Sequence, residues 1–116
     1  ISLTDVISQL SSVGSFIHAL HTSNFDLLGK SIKDLIAEPK RMKLIPYYEN
    51  LKDIAVKSGS LGTSISGSGP SIFSLTKGID TANEIQNQLK VFMAQTNISF
   101  TTYVSKINNI GVKVIS

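Results

Sequence analysis

The amino-acid sequence predicts an α+β domain with a ferredoxin-like four-stranded antiparallel sheet. The helices are expected mainly on one face of the sheet, with extra helices at the N-terminus. Hydrophobic periodicity gives three helical segments, then two strands, a fourth helix and two more strands. Short turns join the strands of each pair, and such turns join antiparallel strands. The length of 116 residues suits one domain with a modest core.

The first predicted helix covers about residues 2–21. Ser2 and Asp5 form a start that resembles a capping box. Apolar residues at gaps of three and four define one face of this helix. That face consists of Leu3, Val6, Ile7, Leu10, Val13, Gly14, Ile17 and Leu20.

The second predicted helix covers about residues 24–36, with Ser23 as its cap. Pro39 limits it, because the residue before a proline disfavours helical geometry. Residues 37–46 are interpreted as a connector. Pro46 then suits the first turn of a third helix at about 46–58.

The remaining elements follow a glycine. Gly59 ends the third helix, and two strands follow at about 61–66 and 71–76. The fourth helix opens at a capping box, Thr81-Ala82-Asn83-Glu84. Alternating apolar residues then predict strands at 98–104 and 110–114, with a turn at Asn108-Asn109 between them.

Composition restricts the kind of protein. A hydrophobic share of 41% and a charged share of 16% indicate a globular chain. The sequence contains no run of about 18 apolar residues, so no membrane span is predicted. Cysteine is absent, which excludes disulfides and thiolate sites and is compatible with a cytoplasmic protein. The net charge of +3 suits anionic small molecules without requiring nucleic acid.

The loop between the first two strands is the first candidate for function. It comprises Ser66, Gly67, Ser68, Gly69 and Pro70, and we call it the glycine loop. Glycines allow close backbone approach, and consecutive amides can face an anion. The loop could therefore pack at a phosphoryl-transfer site, or it could be an unusual turn. It matches neither the P-loop nor the dinucleotide fingerprint.

The connector offers the second candidate, Arg41. Its planar guanidinium can bind a carboxylate or phosphate through two parallel hydrogen bonds. With Lys40 and Lys43 it could equally form a solvated basic surface. A nucleic-acid patch is less favoured, because only three positive charges cluster here and no aromatic residue interleaves with them.

Other chemistry-bearing residues give weaker patterns. His18 and His21 lie three apart, a spacing that can serve a metal, but no third ligand is evident. We therefore predict no metal site. Asp34 and Glu38 are four apart and could share a face, but nothing marks them as an acid–base pair, and no Ser-His-Asp arrangement emerges. No catalytic residue is assigned to this chain.

Two segments together carry a family resemblance. The stretch "DLIAEPKRMKLIPYYENLK" at 34–52 and "LGTSISGSGPSIFSL" at 61–75 resemble homoserine kinases. The second segment resembles a conserved motif of the superfamily that also includes galactokinase, mevalonate kinase and phosphomevalonate kinase. The pattern Glu38-Pro39-x-Arg41 resembles the homoserine kinase branch in particular, as does the tail from Asn108. The likeness covers essentially the whole chain.

The resemblance implies that residues 1–116 are the C-terminal domain of such a kinase. The phosphate-loop motif of the family's N-terminal domain does not occur in this sequence, and there is no initial Met. The parent enzyme would transfer the γ-phosphoryl group of ATP to the hydroxyl of L-homoserine, giving O-phospho-L-homoserine in threonine biosynthesis. ATP and Mg²⁺ would bind mainly to the N-terminal domain. The fragment alone is expected to be inactive.

The resemblance also implies roles for both candidates. Arg41 matches the family arginine that binds the homoserine carboxylate. The glycine loop would form an active-site wall and pack against the nucleotide phosphate loop of the N-terminal domain. Tyr47 stands where the family commonly has a small residue, which could narrow the pocket entrance.

Two alternatives stay open. A ferredoxin-like domain of this size could be a non-enzymatic amino-acid-binding regulatory module, with its ligand at a dimer edge. A kinase of the same superfamily with a phosphorylated or isoprenoid substrate is the other, and the Glu38-Pro39-x-Arg41 pattern argues against it. A homodimer is also left open.

Overall fold

The computed structural model describes residues 1–115 and confirms an α+β fold. Within these residues it contains five α-helices, a 3₁₀ turn and one antiparallel pair of strands. The elements in chain order are α1 (Leu3–Thr22), α2 (Phe25–Ser31), α3 (Glu38–Arg41), the 3₁₀ turn (Met42–Leu44), α4 (Tyr48–Lys57), β1 (Gly62–Ile65), β2 (Ile72–Leu75) and α5 (Ile79–Met93).

The first predicted hairpin is confirmed. β1 pairs with β2 so that Gly62 lies opposite Leu75 and Ile65 lies opposite Ile72. All four residues of β1 are buried, whereas β2 is partly exposed. Helices α2 and α4 both contact β1, which places this strand at the centre of the fold.

The predicted four-stranded ferredoxin-like sheet is not confirmed. In the described part of the chain the sheet has two strands, and residues 98–104 and 110–114 pair with no strand. Alternating residues form a stable strand only where a neighbour supplies hydrogen bonds and a surface buries one face. Val112 and Val114 are 101% and 95% exposed, so neither condition is met.

The start of α1 agrees with the sequence, but the start of α2 does not. Ser2 Oγ accepts a hydrogen bond from the Asp5 amide at 3.1 Å, as predicted. Ser23, predicted to cap α2, instead ends α1 in a left-handed conformation with φ 53°. Asn24 caps α2, and its Oδ1 accepts from the Leu27 amide at 3.1 Å.

The second helix is shorter than predicted, because a side chain competes with its backbone. α2 ends at Ser31. Three residues later, Asp34 Oδ1 accepts from the amides of Ile36 at 2.9 Å and Ala37 at 2.7 Å. Local bonds of this kind favour turns over helix continuation. The predicted connector at 37–46 then folds into α3 and the 3₁₀ turn.

The later helices begin at residues that the sequence did not indicate. α4 begins at Tyr48 after Tyr47, which adopts a left-handed φ of 61°. α5 begins at Ile79 after Gly78, so the predicted capping box at 81–84 lies inside the helix. The positive φ of 112° at Gly78 turns the chain into α5 before the box is reached.

The core is small. Ile45, Tyr48 and Ile65 form a buried cluster that joins the end of the 3₁₀ turn, α4 and β1. Met42 and Ile72 pack against it. The remaining buried hydrophobic residues are Ala19, Leu28, Leu51, Ala55, Ile85 and Met93. This cluster fixes the connector and the first hairpin relative to each other.

Much apolar surface lies outside this core. In α1, most of the predicted apolar face is exposed, including Leu3 at 74% and Leu10 at 66%. The radius of gyration is 15.3 Å, and a compact chain of this length is expected near 13 Å. Within residues 1–115, no helix combines the length and the apolar character needed to cross a membrane.

Gly29 on α2 allows a close approach that we expect a substitution to disrupt. A methyl group at this position would overlap the carbonyl oxygen of Leu61, just before β1. Because backbone cannot move aside like a flexible side chain, Gly29→Ala should lower the free energy of unfolding by about 1–3 kcal/mol. Denaturant unfolding measures this change.

Gly14 is the matched control, because it is also helical and a methyl group there meets nothing within 4 Å. Gly14→Ala should raise the free energy of unfolding by about 0.5–1 kcal/mol. Equal effects of the two substitutions would contradict the close approach of α2 to residue 61.

Candidate functional site

The structure brings the two predicted candidates together. Arg41 is the last residue of α3, and its side chain is exposed. Its guanidinium Nη1 donates a hydrogen bond to the carbonyl oxygen of Ser68, in the middle of the glycine loop, at 3.0 Å. The sequence indicated each candidate separately, but nothing in it indicated this contact.

A cavity of about 330 Å³ lies where they meet. Its lining residues are Arg41, Leu44, Ile45, Ser68, Gly69 and Pro70. Sites for small molecules usually span about 300–1,000 Å³, so the volume of this open cavity lies at the lower end of that range. It combines a cationic fork and loop backbone with aliphatic side chains, and none of its lining residues is a carboxylate. The arrangement favours a small anion with a short apolar portion.

The glycine loop is a closed turn. Ser66 N donates to Ser71 O at 2.8 Å, and Gly69 N donates to Ser66 O at 3.2 Å. Gly67 and Gly69 have φ of 61° and 81°, in the left-handed region that favours glycine. A Cβ on Gly69 would lie 3.2 Å from the Ile45 side chain. The two glycines therefore set the shape of the loop, and the second also allows it to lie on the core.

A buried carboxylate at the start of α3 joins three elements. Glu38, the first residue of α3, is 7% exposed. Its Oε1 accepts from the Tyr48 hydroxyl and from Lys52 Nζ, the latter at 2.5 Å. Its Oε2 accepts from Ser64 Oγ at 3.2 Å. α3 is thereby tied to α4 and to β1.

Sequence analysis considered Glu38 as part of a motif and beside Asp34, and it missed the partners that the structure shows. A signal was present. Tyr48 and Lys52 are four apart, so they share one face of α4. Ser64 is a polar residue in a fully buried strand, and buried hydroxyls need a partner.

The electrostatics of Glu38 and its hydrogen-bond partners depend on burial. A carboxylate removed from water is destabilised unless donors replace its hydration. Burial, followed by the hydrogen bond to Glu38, raises the pKa of the Tyr48 hydroxyl well above its ordinary value of 10.0. Tyr48 therefore remains a neutral donor. Lys52 supplies the opposite charge from a side chain that is 38% exposed.

The other predicted residues do not line the Arg41 cavity. Lys40 and Lys43 are exposed, as are His18 and His21 on α1. Among residues 1–115, no cluster of three or more His, Cys, Asp or Glu side chains could hold a metal ion. Tyr47 packs edge-on against Phe92 with ring centroids 5.6 Å apart, beside a second cavity of about 460 Å³.

Comparison with known families defines the class of protein. Residues 16–95 match the family described as GHMP kinases C terminal. Since this match covers more than half of the chain, the chain belongs to that family.

Individual relatives narrow the class. The chain is 37% identical over 117 residues to the homoserine kinase of Chlorobium phaeobacteroides, covering 99% of this chain and 37% of that protein. It is 34% identical over 118 residues to the homoserine kinase of Chlorobaculum tepidum, covering 36% of that protein. These relatives confirm the predicted resemblance to homoserine kinases, and the chain spans a little over a third of their length.

A solved structure agrees with the relatives. The crystal structure of homoserine kinase from Cytophaga hutchinsonii superimposes on this chain with a TM-score of 0.89 at 39% identity. The superposition covers 93% of this chain and 34% of that protein. The fold of this chain is thus that of a part of a homoserine kinase.

The Tyr48–Glu38 hydrogen bond gives a prediction about stability and pH. Because the folded state raises the tyrosine pKa, its contribution is fully present below about pH 10 and is lost as pH rises above that value. Wild type should lose stability relative to Tyr48→Phe by about 1.4 kcal/mol per pH unit above pH 10. Urea unfolding of both proteins at pH 8, 9, 10 and 11 measures the difference.

Every other ionisable side chain is common to both proteins, so the comparison isolates the contribution of Tyr48. A constant difference in stability from pH 8 to pH 11 would contradict a raised tyrosine pKa.

Proposed function

We propose that this chain is the C-terminal domain of a homoserine kinase. The complete enzyme transfers the γ-phosphoryl group of ATP to the hydroxyl of L-homoserine and forms O-phospho-L-homoserine, a step in threonine biosynthesis. The observation that carries the proposal is the likeness to homoserine kinases along nearly the whole chain, at 34–39% identity.

In this proposal Arg41 binds the carboxylate of homoserine. The guanidinium carries five N–H donors, so the bond to Ser68 leaves donors for a bidentate pair with a carboxylate. The same bond holds the side chain at the cavity. The aliphatic side chains of Leu44 and Ile45 lie on the wall, where they suit the short methylene chain of homoserine.

ATP and Mg²⁺ belong, in this proposal, to the N-terminal domain. The residues that line the Arg41 cavity include no carboxylate, which is the usual protein ligand of Mg²⁺. Transfer of a phosphoryl group depends on positioning and on stabilisation of charge. This chain would contribute to positioning, by holding the substrate carboxylate and by supporting the nucleotide loop.

The glycine loop is proposed to pack against the phosphate loop of the N-terminal domain. Gly67, Ser68 and Pro70 are exposed at the tip of the hairpin, so backbone is available for contact there. The apolar side chains that α1 exposes also support a partner domain, since contiguous apolar surface commonly marks an interface.

Arg41 gives the first functional prediction. In the complete enzyme, Arg41→Leu should lower kcat/KM for homoserine and leave the KM for ATP unchanged. A charge-assisted hydrogen bond contributes about 1.5–3 kcal/mol, so the expected loss is at least on the order of tenfold. Arg41→Lys should recover only part of the loss, because an ammonium lacks the planar fork. Steady-state kinetics with each substrate varied in turn measures these effects.

Lys40 and Lys43 provide the controls, since both are exposed neighbours of like charge. Either lysine changed to Ala should leave kcat/KM for homoserine nearly unchanged. Equal losses for all three substitutions would indicate a diffuse basic surface, and the proposed role of Arg41 would be wrong.

The glycine loop gives the second functional prediction. Gly67→Val and Gly69→Val both force a β-branched residue into a left-handed conformation, at a strain of about 1–3 kcal/mol each. In the complete enzyme both should lower activity and raise the KM for ATP. Gly69→Val should also destabilise the fold more, because its side chain meets Ile45.

Gly111→Val is the matched control, with a φ of 77° and open space around the site. It introduces similar backbone strain far along the chain from the loop. Full activity and unchanged ATP affinity in both loop variants would leave the loop as a simple connection.

A further inference from the structure

Arg41 is carried by a helix that cannot hold its own position. α3 has four residues, with Glu38 at its start and Arg41 at its end. Helices of about one turn are marginal in water, because nucleation fixes several residues for very few hydrogen bonds. The placement of the guanidinium must therefore come from contacts outside α3.

Glu38 supplies those contacts. Its carboxylate is buried and accepts hydrogen bonds from Tyr48 and Lys52 on α4 and from Ser64 on β1. The remaining residues of α3 that precede Arg41, Pro39 and Lys40, are exposed. Glu38 is the one residue of α3 that is buried, so within this helix it provides the anchor. Met42, which follows Arg41, adds apolar packing on the core cluster.

β1 links the two ends of the site. Ser64, which donates to Glu38, is followed by Ile65 and then by the glycine loop. Arg41 returns to that same loop through its bond to Ser68. A closed path thus runs from Glu38 through β1 to the loop and back through Arg41 along α3. Displacing Glu38 would therefore change the position of the Arg41 guanidinium relative to the Ser68 carbonyl.

We propose that Glu38 is a positioning residue for substrate binding. Its buried carboxylate, held by α4 and β1, sets the guanidinium of Arg41 against the glycine loop at the distance that the substrate carboxylate requires. This inference rests on the proposed function, because it assigns Glu38 to the same site. It adds that an ion which never touches the substrate controls how well the substrate is bound.

The test is Glu38→Gln in the complete enzyme. The amide keeps the size of the side chain but loses the charge that holds Lys52, and its nitrogen cannot accept a hydrogen bond. Because a misplacement of about 1 Å can lower a rate by about a hundredfold, kcat/KM for homoserine should fall by about ten- to a hundredfold. The KM for ATP should stay unchanged.

A double-mutant cycle with Arg41→Leu separates positioning from general damage. If Glu38 acts through Arg41, adding Glu38→Gln to the Arg41→Leu enzyme should change kcat/KM for homoserine by less than about twofold. An equal fall in both backgrounds would overturn the inference, and so would a fall in which the KM for ATP rises in parallel.

Two further variants guard against a protein that fails to fold. Ser64→Ala removes the donor to Oε2 and leaves the Lys52 pair in place, so it should show the same pattern more weakly. Thr63→Val is the matched control on β1. Its hydroxyl is buried and bonds to Ser60 and Ser74, away from Glu38. It should lower the melting temperature without a specific loss of homoserine use, and a specific loss there would count against Glu38.

A readout without substrate distinguishes this inference from the proposed function. Arg41 is the one arginine in this sequence, and its Nε–H resonance in the complete enzyme can be assigned by its loss in Arg41→Leu. That resonance should shift and exchange faster with solvent in Glu38→Gln but not in Thr63→Val. If wild type fails to phosphorylate homoserine, the proposed function is wrong, and this resonance still decides the inference: an unchanged signal overturns it.

Discussion

The position of the candidate site depends on one buried carboxylate. Glu38 is held by a hydroxyl and an ammonium from α4 and by a hydroxyl from β1. Removing a carboxylate from water is destabilising by several kcal/mol, and this arrangement offsets that cost only while its donors stay in place. The carboxylate therefore couples three separate elements, α3, α4 and β1. Loss of one partner affects all of them.

Apolar packing also holds the connector against the first hairpin. The cluster of Ile45, Tyr48 and Ile65 packs the end of the 3₁₀ turn onto the first strand. The bond from Arg41 to Ser68 then joins the end of α3 to the glycine loop at the cavity. Apolar packing supplies most of the stability of such a unit, whereas the polar contacts specify where one guanidinium lies.

The chain exposes a large amount of apolar surface. α1 exposes most of the apolar face that its periodicity predicts, and Tyr103 and Ile107 expose most of their area further along. The relatives extend well beyond the length that this chain matches. In the proposed enzyme the apolar side chains that α1 exposes are buried against the rest of the protein, since the apolar stripe of a helix typically faces a core.

The sequence by itself determined the local features. Periodicity located α1 and the first hairpin, and the residues of the glycine loop and of Glu38-Pro39-x-Arg41 indicated the family. These signals are local, because helix faces, turns and short motifs depend on residues that are near in the chain. The sequence did not predict that residues 98–104 and 110–114 would pair with no strand. Alternating apolar residues show a preference for extended structure, but pairing needs a neighbouring strand.

Only the tertiary structure decided how the site is assembled. The bond between Arg41 and Ser68, and the three donors around Glu38, join residues from α3, α4 and the first hairpin. The spacing of Tyr48 and Lys52 places them on one face of α4, but nothing in the spacing encodes their distance from Glu38 or that of Arg41 from Ser68. Their meeting follows from the packing of α4 and the connector on β1, since burial brings the polar groups of separate segments together and then requires them to pair.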